Sequence, residues 1–218
     1  MSKWTIQMAN IDLITFDIFG TVLNWFDGMR EAVANNGPQL DRKLFDRVID
    51  YQGEIEQKQF TSYTEVTAKS LVEVLRMNSV LAAEIGARVG EWPLFSDSKN
   101  ALFALMKIAP CAAITNSDRV HGEQVQRQLG FKLSHWFCAE DVRVYKPNSE
   151  FWQIVSKKTK TPFSKNWWHV SAYADYDLKL ARELGLTTVF VERNHSRPGT
   201  ADIVVQDLLG LGVLSRTK

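Results

Sequence analysis

The chain opens its patterned part with IDLITF (11 to 16), a short and continuously apolar run rich in β-branched residues. Such a run predicts a strand covered on both faces, with Asp17 at its C-terminal end. From about Trp25 to Arg88 the pattern changes. Apolar residues recur every three or four positions in DRKLFDRVIDYQ (41 to 52) and SYTEVTAKSLVEVLRM (62 to 77), and Gly37-Pro38 breaks an earlier helix. Beyond WPLFSDS (92 to 98) helices and strands alternate: a helix at KNALFALMKI, a strand at CAAIT (111 to 115), a helix near HGEQVQRQLG and a short strand near HWFCAE. The series continues with a helix at SEFWQIVSKKTK, a strand at WWHVSA (167 to 172), a helix at DLKLARELG, a strand at TTVFVER and a final strand at DIVVQDL. Alternation of this kind implies an α/β fold, a doubly wound parallel sheet with helices on both faces. A helical module over 25–94 then interrupts a core made of 1–24 and 95–218.

Composition narrows the class without changing this picture. Of 218 residues, 45% are hydrophobic and 23% charged, as in ordinary globular domains, and the formal charge is +1. No Lys/Arg block stands out, which argues against a nucleic-acid partner. Cys111 and Cys138 lie inside apolar segments, which suits a reducing cytoplasm better than a disulfide frame. MSKWTIQMANID lacks an apolar signal core, and no stretch approaches the ~18 apolar residues of a membrane span. The expectation is a cytoplasmic protein without membrane contact. His121, His135, His169 and His195 show no metal-ligand spacing.

Polar residues stand where strands end: Asp17, Thr115 with Asn116, Lys146 in VYKP, and Asp177 in HVSAYADYD. Strand ends of a parallel sheet converge on one edge, so these separated residues can meet in one pocket. Asp177 also stands where the helix that follows it wants a cap.

Taken together, FDIFGT, AAITNSD, VYKP and HVSAYADYD resemble the motifs of the haloacid dehalogenase superfamily over nearly the whole chain. The resemblance implies a Rossmann-like core, makes Asp17 a nucleophile and makes the helical insertion a cap over it. Gly20 suits a tight turn near the substrate, and the Thr21 hydroxyl suits holding the Asp17 carboxylate. Phosphatases of this superfamily usually carry a second aspartate two residues after the first and hold Mg²⁺ with acids of the fourth motif. Here those positions are Phe19 and Ala172. Without a metal, a phosphate dianion beside Asp17 would meet a repulsion of ~4 kcal/mol per charge pair at an effective dielectric of 20.

The sequence is more similar to the metal-independent L-2-haloacid dehalogenases (type II), which have an aromatic residue two places after the nucleophile, then GT, and YKP in the third motif. That resemblance implies a small carboxylate substrate, no cofactor and a homodimer. It makes Asp17, Thr21, Lys146 and Asp177 catalytic. It also assigns Ile18, Phe19, Trp25, Thr115, Asn116 and Trp152 to substrate binding: Thr115 with backbone N–H groups to the carboxylate, Asn116 to the halide, Phe19 and Trp25 to an apolar wall. The sequence departs from the pattern in three places. No cap arginine aligns securely: Arg47 is one candidate, while YQGEIEQKQF offers Gln52, Glu54 and Glu56. The Ser and Asn that position water are Ala172 and Ala174. Asp175 adds a carboxylate that would restore a metal position if it met Asp17 and Asp177. Hydrolysis of another substrate, by an atypical phosphatase or a different carbon–heteroatom hydrolase, and a binding protein on this scaffold stay open beside dehalogenation.

Overall fold

A computed structural model describes residues 10–34 and 37–214. The segment read as lacking a signal core lies largely before them, and the outer limits 1 and 218 of the expected core lie outside them. The sheet has six strands, all parallel, in the order β3-β2-β1-β4-β5-β6: β1 Leu13–Phe16, β2 Cys111–Thr115, β3 His135–Cys138, β4 Trp167–Ser171, β5 Thr187–Val191 and β6 Ile203–Val205. The expected doubly wound α/β architecture is therefore present. Every residue of β1, β2 and β4 is buried, which explains their unbroken apolar runs. The strand order reverses beside β1, where such sheets leave a crevice at their C-terminal edge.

Between β1 and the returning core lie α1 Trp25–Val33, α2 Arg42–Glu56, α3 Tyr63–Leu75, α4 Ser79–Gly86 and a single 3₁₀ turn at Val89–Glu91. Side chains of Asn24, Asp41, Ser62 and Asn78 accept from the first free N–H groups of α1 to α4 and so set their starts. The core resumes with α5 Ser98–Leu105, and α6 Arg119–Leu129, α7 Ala139–Val142, α8 Ser149–Thr159 and α9 Lys179–Glu183 follow the alternation. None of the described helices is long and apolar enough to cross a membrane.

Two details differ from the sequence reading. The strand expected through DIVVQDL is only the three residues of β6, and LLGLGVL continues as α10 Leu208–Leu214. Asp207 turns the chain there, accepting from Gly210 N. The helix expected from Asp177 begins later, because Ala174–Leu178 forms a wide π turn and Asp177 provides no side-chain cap to α9.

Several contacts hold the insertion to the core, among them His121, Gln124 and Gln128 of α6 on the backbone of 86–92. Asp118, in the turn after β2, accepts from Tyr63 N and Thr64 N at 2.8 Å and from Thr64 Oγ1 at 2.7 Å, fixing the start of α3. On the other side the loop after β5 reaches α2. Arg42 donates to the carbonyls of Asn194 and Ser196, and Arg197 pairs with Asp50 at 2.8 Å and Asp46 at 3.5 Å.

Candidate active site

The pleat of β1 ends at Phe16, and Asp17 N donates to Val170 O of β4 at 2.9 Å, so its carboxylate emerges at the C-terminal edge of the sheet. The chain then turns on itself. Ile18 O accepts from Val22 N and Leu23 N, both at 2.9 Å, and Gly20 has φ +91. A Cβ on Gly20 would come within 2.5 Å of the Tyr173 ring, so both conformation and space demand glycine. This turn brings Thr21 Oγ1 to donate to Asp17 Oδ2 at 2.8 Å while accepting from Ala172 N at 2.9 Å.

Lys146 enters from the loop before α8. Its Nζ donates to Asp17 Oδ1 at 3.0 Å and to Asp177 Oδ2 at 2.9 Å, and all three side chains are almost wholly buried. The wide turn at 174–178 gives Asp177 its inward direction. Below it, His169 of β4 places Nε2 at 3.1 Å from Asp177 Oδ2 and Nδ1 at 2.9 Å from Thr15 Oγ1, which accepts from Trp167 Nε1 at 2.9 Å. One tautomer satisfies this chain: Nε2–H donates to Asp177, and Nδ1 accepts from the Thr15 hydroxyl.

One ammonium shared by two buried carboxylates divides their acidities. For Asp177, burial favours the neutral acid, but the Lys146 charge and the His169 hydrogen bond outweigh it and hold the carboxyl below its usual range. Asp17 goes the other way: burial is the largest influence, Asp177 adds repulsion, and Lys146 and Thr21 only partly offset them. Burial lowers the affinity of Lys146 for its proton, yet the two carboxylates leave it raised overall.

Asp17 lines a small cavity of about 60 Å³ whose other walls include Phe19, Trp25, Ile49, Tyr63 and Tyr176. Phe19 meets Trp25 edge to face at 6.3 Å and Tyr63 at 5.6 Å. Thr115, at the end of β2, and Asn116 contribute a polar side. The Asn116 amide is engaged throughout: Nδ2 donates to Glu56 Oε2 at 2.9 Å and Lys146 O at 3.0 Å, and Oδ1 accepts from Lys146 N at 2.7 Å.

The last wall is α2, which presents Ile49, Gln52, Gly53 and Glu56 at helical spacing. Gln52 is committed to its neighbours, donating to Ser70 Oγ and accepting from Tyr63 OH, both at 3.1 Å. Glu56 is partly buried, and burial pushes its carboxyl up to about 8, against the Asn116 hydrogen bond and the Lys146 charge. Glu56 and Gly53 also border a larger outer groove of about 550 Å³, where Lys58, Arg143 and Lys146 lie.

The structure thus brings Asp17, Thr21, Lys146 and Asp177 into one bonded group and puts Phe19, Trp25, Thr115 and Asn116 on the cavity. Ile18 is buried and serves the turn through its carbonyl. Trp152 is fully buried away from the cavity, edge-on to His169 at 4.5 Å. Arg47 and Glu54 are exposed on α2, and no arginine is among the described residues that line the cavity. Tyr63, Tyr176 and His169 carried no positional signal, except that His169 is a polar residue in the middle of the otherwise largely apolar strand WWHVS.

The superfamily's Mg²⁺ does not fit this arrangement. The Lys146 ammonium lies between the carboxylates that would share the ion, while Asp175 faces Arg197 at 3.9 Å and lines a different groove. Among the described residues there is no cluster of three or more His, Cys, Asp or Glu able to hold a metal.

Comparison with known proteins agrees with this architecture. The family model for haloacid dehalogenase-like hydrolases matches residues 11–166. A search of curated proteins gave no match. Similar solved structures include a dehalogenase (20% identity, 95% of this chain and 98% of that one, TM-score 0.83) and an L-2-haloacid dehalogenase (24%, 93% and 98%, TM-score 0.78). A third is the L-2-haloacid dehalogenase from Xanthobacter autotrophicus with chloropropionic acid covalently bound (15%, 94% and 98%, TM-score 0.79). At these identities the likeness establishes a shared fold.

Proposed function

Because the chain belongs to the haloacid dehalogenase-like hydrolases, we propose that it displaces halide from C2 of a short 2-haloalkanoic acid through an ester on Asp17. The helical insertion 25–94 acts as the cap that closes the cavity. An Asp17 carboxylate oxygen attacks C2, the carbon–halogen bond breaks with its electron pair leaving on the halide, and the configuration at C2 inverts. Water then adds to the Asp17 ester carbonyl, releasing the 2-hydroxy acid and restoring the carboxylate. Lys146 keeps the attacking carboxylate ionised, Asp177 and His169 orient Lys146, and Thr21 fixes the carboxylate plane. Thr115 and nearby backbone N–H groups hold the substrate carboxylate, with Phe19 and Trp25 around its alkyl part.

The observation that supports this reading best is the setting of Asp17: ion-paired with Lys146 and opening on a small, mainly aromatic cavity. Phe19 stands where a phosphatase would need its second acid, and the cavity favours a short substrate over a bulky phosphate ester. The test is halide release from both enantiomers of 2-chloropropanoate and 2-bromopropanoate with excess chelator, for the wild type and Asp17→Asn. Wild type releases halide undiminished by chelator, and Asp17→Asn loses at least about a hundredfold, because an amide cannot form the ester. The raised pKa of Asp17 predicts an acid limb, with rate increasing as pH rises and the carboxyl ionises. Full halide release by Asp17→Asn would disprove the ester route.

A further inference from the structure

A halide displaced by Asp17 leaves on the side of C2 away from the attacking oxygen, so a polar group of the cavity lining other than Asp17 has to receive it. Among the polar residues lining the cavity, Gln52 on α2 has spent both ends of its amide on Ser70 and Tyr63, and Asn116 after β2 has spent both of its N–H bonds. Glu56 is different. Asn116 donates to its Oε2, and Oε1 takes no hydrogen bond from the described residues. A neutral Glu56 therefore carries its proton on Oε1 and has one O–H to give.

We propose that Glu56, as a neutral carboxylic acid, receives the departing halide by donating an O–H hydrogen bond to it from the cavity side of α2. The inference rests on the dehalogenase reading and gives it a leaving-group site that uses no cation. In the step, the Asp17 oxygen–C2 bond forms, the C2–halogen pair departs on the halide, and the proton stays on Glu56, since halide is too weak a base to take it. The acid form persists at neutral pH because its carboxyl is pushed up to about 8. The groups facing it leave the balance there: Asn116 and Lys146 favour the anion, whereas burial outweighs both. Tyr63 and Tyr145 are neutral neighbours, both held protonated well past the neutral range by burial and by Glu56 itself. Asp17 lines the same cavity, and Lys58 and Arg143 lie on the outer groove. Ionisation of Glu56 would place an anion where an anion must leave, so the rate falls on the alkaline side.

The experiment has a turnover arm and a binding arm. Halide release is followed from about pH 6 to about pH 10 for wild type, Glu56→Gln, Glu56→Leu and Tyr176→Phe. Wild type shows an alkaline limb near pH 8. Glu56→Gln, which keeps an N–H donor and cannot ionise, runs at a lower plateau without the limb. Glu56→Leu loses about tenfold in kcat, the worth of one hydrogen bond at the leaving group. Tyr176→Phe keeps the limb. Persistence of the limb in Glu56→Gln, its loss in Tyr176→Phe, or full kcat in Glu56→Leu would overturn the proposal.

The second arm measures bromide binding by tryptophan fluorescence in Asp17→Asn and Asp17→Asn/Glu56→Gln, with no turnover needed. Tighter binding at low than at high pH in the first, and pH-independent binding in the second, supports Glu56 even if no haloacid is turned over. Absent or pH-independent binding in Asp17→Asn overturns it.

Discussion

The floor of the cavity and its α2 wall handle a buried carboxyl group in opposite ways. On the floor Asp17 and Asp177 share the buried ammonium of Lys146, and Thr21 and His169 take up further lone pairs. On the wall Glu56 has no cation in contact, and desolvation alone makes the neutral acid the stable form at neutral pH. At the floor the ammonium counters burial, fully for Asp177 and in part for Asp17; at the wall burial prevails. The proposed displacement of halide would need both, since its nucleophile must be anionic and its leaving-group end must not be.

The strongest way to break that contrast is to remove the shared cation. Lys146→Ala leaves Asp17 and Asp177 buried without a counter-charge and should cost about 3–5 kcal/mol in denaturant melts, with turnover abolished. An unchanged midpoint would mean that the floor does not depend on its ion pair. Thr21→Val should be milder, at about 1–3 kcal/mol, because it strands one Asp17 oxygen and the Ala172 N–H while leaving Lys146 in place. The least perturbing test stays on α2. The folded-state pKa of Glu56 lies above its unfolded value, so the folded protein holds the extra proton, and stability falls as pH rises from 4.5 towards about 8. Melting temperatures of Glu56→Gln should therefore gain on wild type across that interval. Glu54→Gln, on the exposed side of the same helix, should track wild type within about 0.5 kcal/mol at every pH. Parallel curves for Glu56→Gln and wild type would remove the desolvation argument.

The floor was legible in the sequence and the wall was not, for a physical reason. Asp17, Thr115 and Lys146 sit next to strand ends or a Pro turn, where a polar residue interrupts an apolar run and topology decides the edge. The parallel sheet with helices on both faces followed from the same alternation. Glu56 could be named only as one of several polar residues on an amphipathic helix. Its side chain faces the cavity because α2 is held at a particular rotation by Arg197, which pairs with Asp46 and Asp50, and by Asn116, which bonds Glu56, and no periodicity specifies these partners. The same limit hid α10, whose glycines weaken a helical pattern that the turn at Asp207 nevertheless starts. It also hid the wide turn that aims Asp177 at Lys146 instead of at the end of α9.

The clamp of the loop after β5 on α2 has a consequence for the solvent. Arg42 and Asp50 are largely exposed, so their bonds to Ser196 and Arg197 lie within reach of dissolved ions. Exposed pairs are screened over about 8 Å at physiological ionic strength, whereas the pair beneath Asp17 is shielded by protein. Added electrolyte would loosen the grip on the start of α2 and leave the Lys146 group intact, making ionic strength a means of moving the cavity's ceiling without touching its chemistry.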